Sequence, residues 1–149
     1  MNKLITVLLM GLLTWTAAAQ ASEREVQPAQ YPAYIEAIRV AASSVAGFNC
    51  TNGNRVEPSN SSLTSINSSY VAQITVSAVG TQPLIKVTSR TGSAQLTLEI
   101  TTNEARTAIL AYRKLSYAPG RVNTGTLDNP NIIDSWILTE DLTCTTVSN

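Results

Sequence analysis

Residues 70–101, YVAQITVSAVGTQPLIKVTSRTGSAQLTLEIT, carry the pattern that decides the fold. Tyr70, Ala72, Ile74, Val76 and Ala78 alternate with Val71, Gln73, Thr75, Ser77 and Val79. Gly80-Thr81-Gln82-Pro83 then predicts a turn. Ile85 and Val87 are flanked by Lys86 and Thr88, which predicts a second strand. Arg90-Thr91-Gly92-Ser93 predicts another turn. Leu96, Leu98 and Ile100 alternate with Gln95, Thr97, Glu99 and Thr101 in a third strand. A two-residue period with turn residues at both joints is the pattern of an antiparallel meander that buries one face.

Upstream, the period changes. Ile35, Ile38, Ala42 and Val45 recur at helical spacing, with Tyr31 one turn earlier, and Tyr34, Ala37 and Ala41 widen the stripe. Pro32 suits a first helical turn and Gly47 a stop, so a helix is expected over 32–46, lying on the sheet. Residues 51–69 are Ser- and Asn-rich without apolar periodicity and read as a flexible linker or a functional surface loop. Downstream, 103–116 has two readings. Asn103 as a cap, with Ala105, Ala108, Ile109, Tyr112 and Leu115 on one face, predicts a helix; Ile109–Tyr112 equally suits a fourth strand. The helix is preferred. A loop is expected at 117–131 and strands at 132–138 and 142–147. The expected class is therefore α+β, with an N-terminal helix packed on an antiparallel sheet and a second helix near 103–116.

The N-terminus reads as an export signal over 1–21. Lys3 precedes an apolar run from Leu4 to Leu13, and Ala19-Gln20-Ala21 has the small-x-small form of a cleavage site. The run is shorter than the ~20 apolar residues of a spanning helix. No stable membrane span is thus expected after cleavage. Of 149 residues, removal of 21 leaves 128, enough for one exported α+β domain over 22–149. The short, weakly charged start looks bacterial, and the expected destination is the periplasm or the cell exterior.

Export gives the cysteines their meaning. Cys50 and Cys144 are the only two in the chain, and an even pair in an oxidising compartment reads as a disulfide. Two thiolates without histidine do not complete a zinc shell. Histidine is absent altogether, which removes Ser-His-Asp and Cys-His catalysis within this chain. Loss of Lys3 with the signal leaves nine basic against ten acidic residues. That balance argues against nucleic acid as a partner and against a polybasic membrane patch. No G-x-S-x-G, S-x-x-K, Walker or G-x-G-x-x-G motif occurs. No cofactor and no metal ligand set is expected.

Two candidate contact groups stand out. Arg113, Lys114 and Arg121 are a small basic set, and Tyr112, Tyr117 and Trp136 are candidate aromatic platform residues, with Trp136 also a candidate for the core. Glu99, Glu104, Asp128, Asp134, Glu140 and Asp141 are the carboxylates from which an acid–base pair would be drawn.

The order of elements resembles the globular head of type IV pilins. The residues that carry the likeness are Phe48-Asn49-Cys50, and Trp136 with Thr143-Cys144-Thr145-Thr146. In such pilins the apolar helix stays attached and bears a glutamate near its start; here the apolar run has no glutamate and a cleavable end. The resemblance therefore implies a soluble pilin-like binding or assembly module rather than a filament subunit.

The leading expectation is a non-catalytic exported module that binds a protein or cell-surface ligand, as a pilus or adhesin accessory. A periplasmic inhibitor or immunity-type protein fits the same features. The rival is a small hydrolase or lyase working through two of the six carboxylates.

Overall fold

The meander is where the alternation places it. A computed structural model describes residues 23–148, so the export signal at 1–21 lies outside the described residues. The elements are β1 (Arg24–Glu25), α1 (Tyr31–Ser43), β2 (Phe48–Cys50), β3 (Arg55–Val56), α2 (Ser62–Ser65), β4 (Val71–Val79), β5 (Gln82–Thr91), β6 (Ala94–Thr102), β7 (Ile109–Asn123) and β8 (Ile132–Thr146). All eight strands join one sheet in the order β1-β4-β5-β6-β7-β8-β2-β3, and every pairing is antiparallel. Both edge strands are two residues long: β1 pairs with β4 only at Thr75 and Val76, and β3 pairs with β2 only at Phe48 and Asn49.

Ile74 and Val76 of β4, Ile85 and Val87 of β5, and Leu98 and Ile100 of β6 are buried together, as their alternation requires. One phase shift departs from the expected pattern. A bulge between Val71 and Gln73 turns Val71 toward the core and leaves Tyr70 and Ala72 exposed. Gly80, at a positive φ of 64°, and Thr81 form the two-residue β4–β5 turn. Pro83 lies within β5, paired with Ala78, before the register with β6 begins at Leu84.

The α+β class is corrected. The chain is mainly antiparallel sheet, and a helical layer over that sheet is not seen. Among the described residues the one long helix is α1, which ends at Ser43 rather than 46. Its backbone neighbours are chiefly the short segments of 58–70. Tyr31, Ile35, Ile38 and Ala42 belong to the same apolar cluster as the strand residues, so the helix contributes side chains to the core without forming a layer. Gly47 is not the helix stop. It immediately precedes β2, and a Cβ there would meet the Arg55 guanidinium at 2.9 Å.

The expected second helix at 103–116 is also corrected. Asn103 organises a turn: its Oδ1 accepts from the Thr107 N–H at 2.8 Å and the Ala108 N–H at 3.1 Å. Arg106 sits in that turn at φ 58°. From Ile109 the chain is strand, paired on both sides by β6 and β8. From Ala111 onward, ladders on both sides supply backbone partners in place of local helical bonds, and propensity yields to them. Nor is 117–131 a loop throughout, because β7 runs on to Asn123. The two C-terminal strands expected at 132–138 and 142–147 are one continuous strand, β8.

Residues 51–69 are neither linker nor free surface loop. Leu63 and Ile66 are buried in the core. Ser61 Oγ and Thr64 Oγ1 donate to the Pro58 carbonyl at 2.7 and 2.8 Å, and Arg39 reaches the Ile66 carbonyl at 3.1 Å. The hydroxyls satisfy the segment's own backbone and so let two isolated apolar side chains be carried inward.

Candidate functional site

The disulfide is present. Cys50 of β2 and Cys144 of β8 are register partners joined across 94 positions of sequence. The Thr51 N–H donates to the Thr143 carbonyl at 2.9 Å, so the cysteines occupy the next, non-hydrogen-bonded pair, where side chains approach most closely. A disulfide of this kind fits an oxidising environment. It ties the end of the α1–β2 region to the last strand.

The six residues proposed from sequence for partner contact do not form one patch. Tyr112 is 3% exposed and stacks edge-on against Phe48, with ring centroids 4.9 Å apart. Burial raises the Tyr112 phenol above its ordinary pKa, and the nearby Glu140 charge adds to this. Its role is in the core. Arg113 and Lys114, adjacent in β7, point to opposite faces by strand alternation. Arg113 donates to both Asp141 oxygens at 2.9 and 2.8 Å and lies 3.6 Å from Glu99. Lys114 lies 2.9 Å from Glu140, which also accepts from Ser116 Oγ at 3.3 Å. Tyr117, Arg121 and Trp136 do come together, on the part of the sheet described next.

Of the carboxylates, Glu99 and Asp141 come together around Arg113, and the other four lie apart. Glu99 and Asp141 flank Arg113; Glu140 is on the other face; Glu104 is in the β6–β7 turn; Asp134 lies 3.7 Å from Arg121; Asp128 is in the β7–β8 loop. The guanidinium hydrogen bond to Asp141 lowers its pKa, and the ammonium hydrogen bond from Lys114 lowers that of Glu140. A general acid would need the opposite shift. A depressed carboxylate pKa adds stability above its unfolded value, and that stability is lost as pH falls through the folded value. The urea midpoint is therefore expected to be level from pH 8 to about 5 and to fall below about pH 4. In an Asp141→Asn variant the fall is expected to be shallower. Both groups are largely exposed, so salt should shrink the difference.

The feature with functional promise is a projecting ribbon. The β6 pairing with β7 ends at Tyr117, and β2 reaches β8 only at Cys144–Thr146. Between these limits β7 and β8 have only each other. Pairs from Ala118↔Ile137 to Asn123↔Ile132 extend past the sheet for roughly 20 Å, with both outer edges unpaired. A bulge at Ser116/Tyr117 marks the base. By alternation, Tyr117, Pro119 and Arg121 share one face with Leu138, Trp136 and Asp134. The other face carries Ala118, Gly120 and Val122 opposite Ile137, Ser135 and Ile133. A Cβ at Gly120 would come within 2.3 Å of Ile137 Cγ1, so glycine there lets Ile137 lie across the strand.

The ribbon is exposed yet apolar. Ile132, Ile133, Ile137 and Leu138 are between 38% and 49% exposed, and Leu127 at the tip is 97% exposed. Trp136, also a core candidate from sequence, is half-buried on the ribbon and outside the core cluster. The tip is firmly built. Asn123 Oδ1 accepts from the N–H groups of Gly125 and Asn131, both at 2.9 Å. The Thr124 N–H donates to the Asn131 carbonyl at 2.8 Å and the Thr126 N–H to the Asn129 carbonyl at 3.1 Å. A Cβ on Gly125 would clash with the Asn129 carbonyl at 2.3 Å, so only glycine closes this loop. The stretch Asn-Thr-Gly-Thr-Leu-Asp-Asn-Pro-Asn over 123–131 reads in sequence as an ordinary loop. What sequence could not show is that β7 and β8 outlast their neighbours.

Among the described residues no helix is long and apolar enough to cross a membrane, and no group of three or more Asp, Glu or Cys is arranged to hold a metal ion. No family model matches the chain, and neither a curated protein nor a solved structure shows significant similarity to it.

Proposed function

We propose that the mature chain is a non-catalytic interaction module of the periplasm or cell exterior, which engages a protein partner through the 118–138 ribbon. The observation that supports this reading is the exposed apolar side chains on both faces of a two-stranded arm outside the core cluster, with Ile133 and Ile137 beside Val122 and Ala118 on one face. Scattered exposed apolar residues need no explanation, but a contiguous set usually marks a contact site. A preorganised tip also lowers the ordering cost of binding. Unpaired outer edges would let a partner strand add to the ribbon. Roles as an adhesin or pilus accessory, or as an inhibitor, are forms of this one binding mode.

The test is a paired capture from cell-envelope extract. One bait is the mature protein; the other has residues 120–135 replaced by a two-residue Asn-Gly turn between Pro119 and Trp136, which face each other in register. The intact bait is expected to retain specific proteins that the trimmed bait loses, while both melt at nearly the same temperature. Equal capture by the two baits would remove the ribbon from the function.

A further inference from the structure

We infer that the ribbon tip of one copy docks into a cavity on a second copy of this chain, giving a head-to-tail assembly; this rests on the reading of the ribbon as a contact arm. The acceptor is an apolar cavity of about 250 Å³ between α1 and the start of β7, lined by Ala37, Ile38, Ala41, Ile85 and Ile109, with Arg106 among its walls. That hollow is large enough to take an inserted leucine side chain. Alanines at 37 and 41 create it, because larger residues there would fill the space. The donor is Leu127, which the tip loop holds almost fully in solvent.

Charge complements the apolar fit. Asp128 follows Leu127 at the tip, and Arg106 stands at the cavity; neither side chain forms an ion pair among the described residues. Leu127 seated in the cavity brings Asp128 to the rim that Arg106 occupies. Glu104 shares that turn and weakens the attraction without cancelling a direct pair.

The topology makes the contact intermolecular. Ile109 and Asn123 are the two ends of β7, so cavity and tip are about 45 Å apart along a 15-residue strand. A tip cannot reach its own cavity. Donor and acceptor are different surfaces, so the interface is heterologous, and each added copy presents a new free tip.

Sedimentation velocity of the mature, disulfide-bonded protein tests this across micromolar to millimolar concentration. The wild type is expected to form dimers and then longer species. Leu127→Asp, and Ala37→Trp at an exposed position on the cavity wall, should each weaken association by about tenfold or more. Mixed together, the two variants should form a one-to-one dimer that grows no further, because one keeps a working tip and the other a working cavity. A charge swap gives a second readout: Asp128→Lys and Arg106→Glu each weaken association, and both in one chain restore it. Circular dichroism establishes that each variant is folded. A wild type that stays monomeric, a dimer that never extends, an inert mixture of the two variants, or a charge swap without rescue overturns the proposal. A monomeric chain whose ribbon still captures another protein overturns self-assembly alone. A trimmed ribbon that keeps every partner overturns the reading beneath it.

Discussion

Replacing Cys50 and Cys144 together by serine is expected to lower unfolding stability by about 2–5 kcal/mol and the melting temperature by about 8–20 °C. The bond closes a loop of 94 positions, so its absence restores a large conformational freedom to the unfolded chain. It also has a local reason to matter. β2 contributes only three residues to the sheet, and β3 pairs only with β2. Without the covalent link, three register pairs, the flanking Thr51–Thr143 and Val147–Gly47 hydrogen bonds and the buried Phe48 ring must hold the 48–56 edge against β8. Total stabilities of ordinary domains are about 5–15 kcal/mol, so the variant should lie near the limit of folding at 37 °C. Urea titration followed by far-ultraviolet circular dichroism, with and without reductant, measures the effect. Identical midpoints for oxidised wild type and the double serine variant would falsify a stabilising role for the bridge.

Phe48→Ala should cost about 3–5 kcal/mol. Phe48 is 0% exposed, lies on the same buried face of β2 as Cys50, and stacks edge-on against Tyr112, itself the register partner of Cys144. Truncation removes the aromatic pair and leaves a cavity beside the disulfide, where a covalently pinned strand cannot collapse inward. Phe48→Leu should lose less, because most of the volume is kept. Since Phe48 and the bridge support the same junction, their effects should not add; a double-mutant cycle should show coupling of about 0.5–3 kcal/mol. The probe must be circular dichroism. Trp136, the sole tryptophan of the described residues, is on the ribbon, and its fluorescence reports the arm rather than the core.

How far the fold could be read from sequence depended on the range of the interaction concerned. The meander was legible because alternation and turn chemistry act over a few residues: Leu96, Leu98 and Ile100 point one way whatever lies beyond. The bulge at Val71–Gln73 was not, since a one-residue slip leaves no mark in a run of Val, Ala and Gln. Leu63 and Ile66 carry no signal in sequence, because two buried side chains in a Ser- and Asn-rich stretch show no period. Of the candidate site, Tyr117, Arg121 and Trp136 stand out in sequence by their chemistry alone. Leu127, Ile133 and Ile137 do not, because an apolar residue becomes informative only where the fold leaves it exposed.

The 103–116 segment shows the boundary most clearly. Its side chains suit a helix, and Asn103 does organise a turn, but β6 and β8 offer backbone partners on both sides and the segment pairs as strand. The same pairing carries β7 and β8 past their neighbours and so creates the ribbon. Local pattern was enough for the three-stranded meander, for α1 to within a few residues, and for the matching of the only two cysteines. The sheet-dominated class, the continuous β8, the ribbon and the cavity were decided by contacts between residues far apart in the chain, whose free energy is invisible in any short window of sequence.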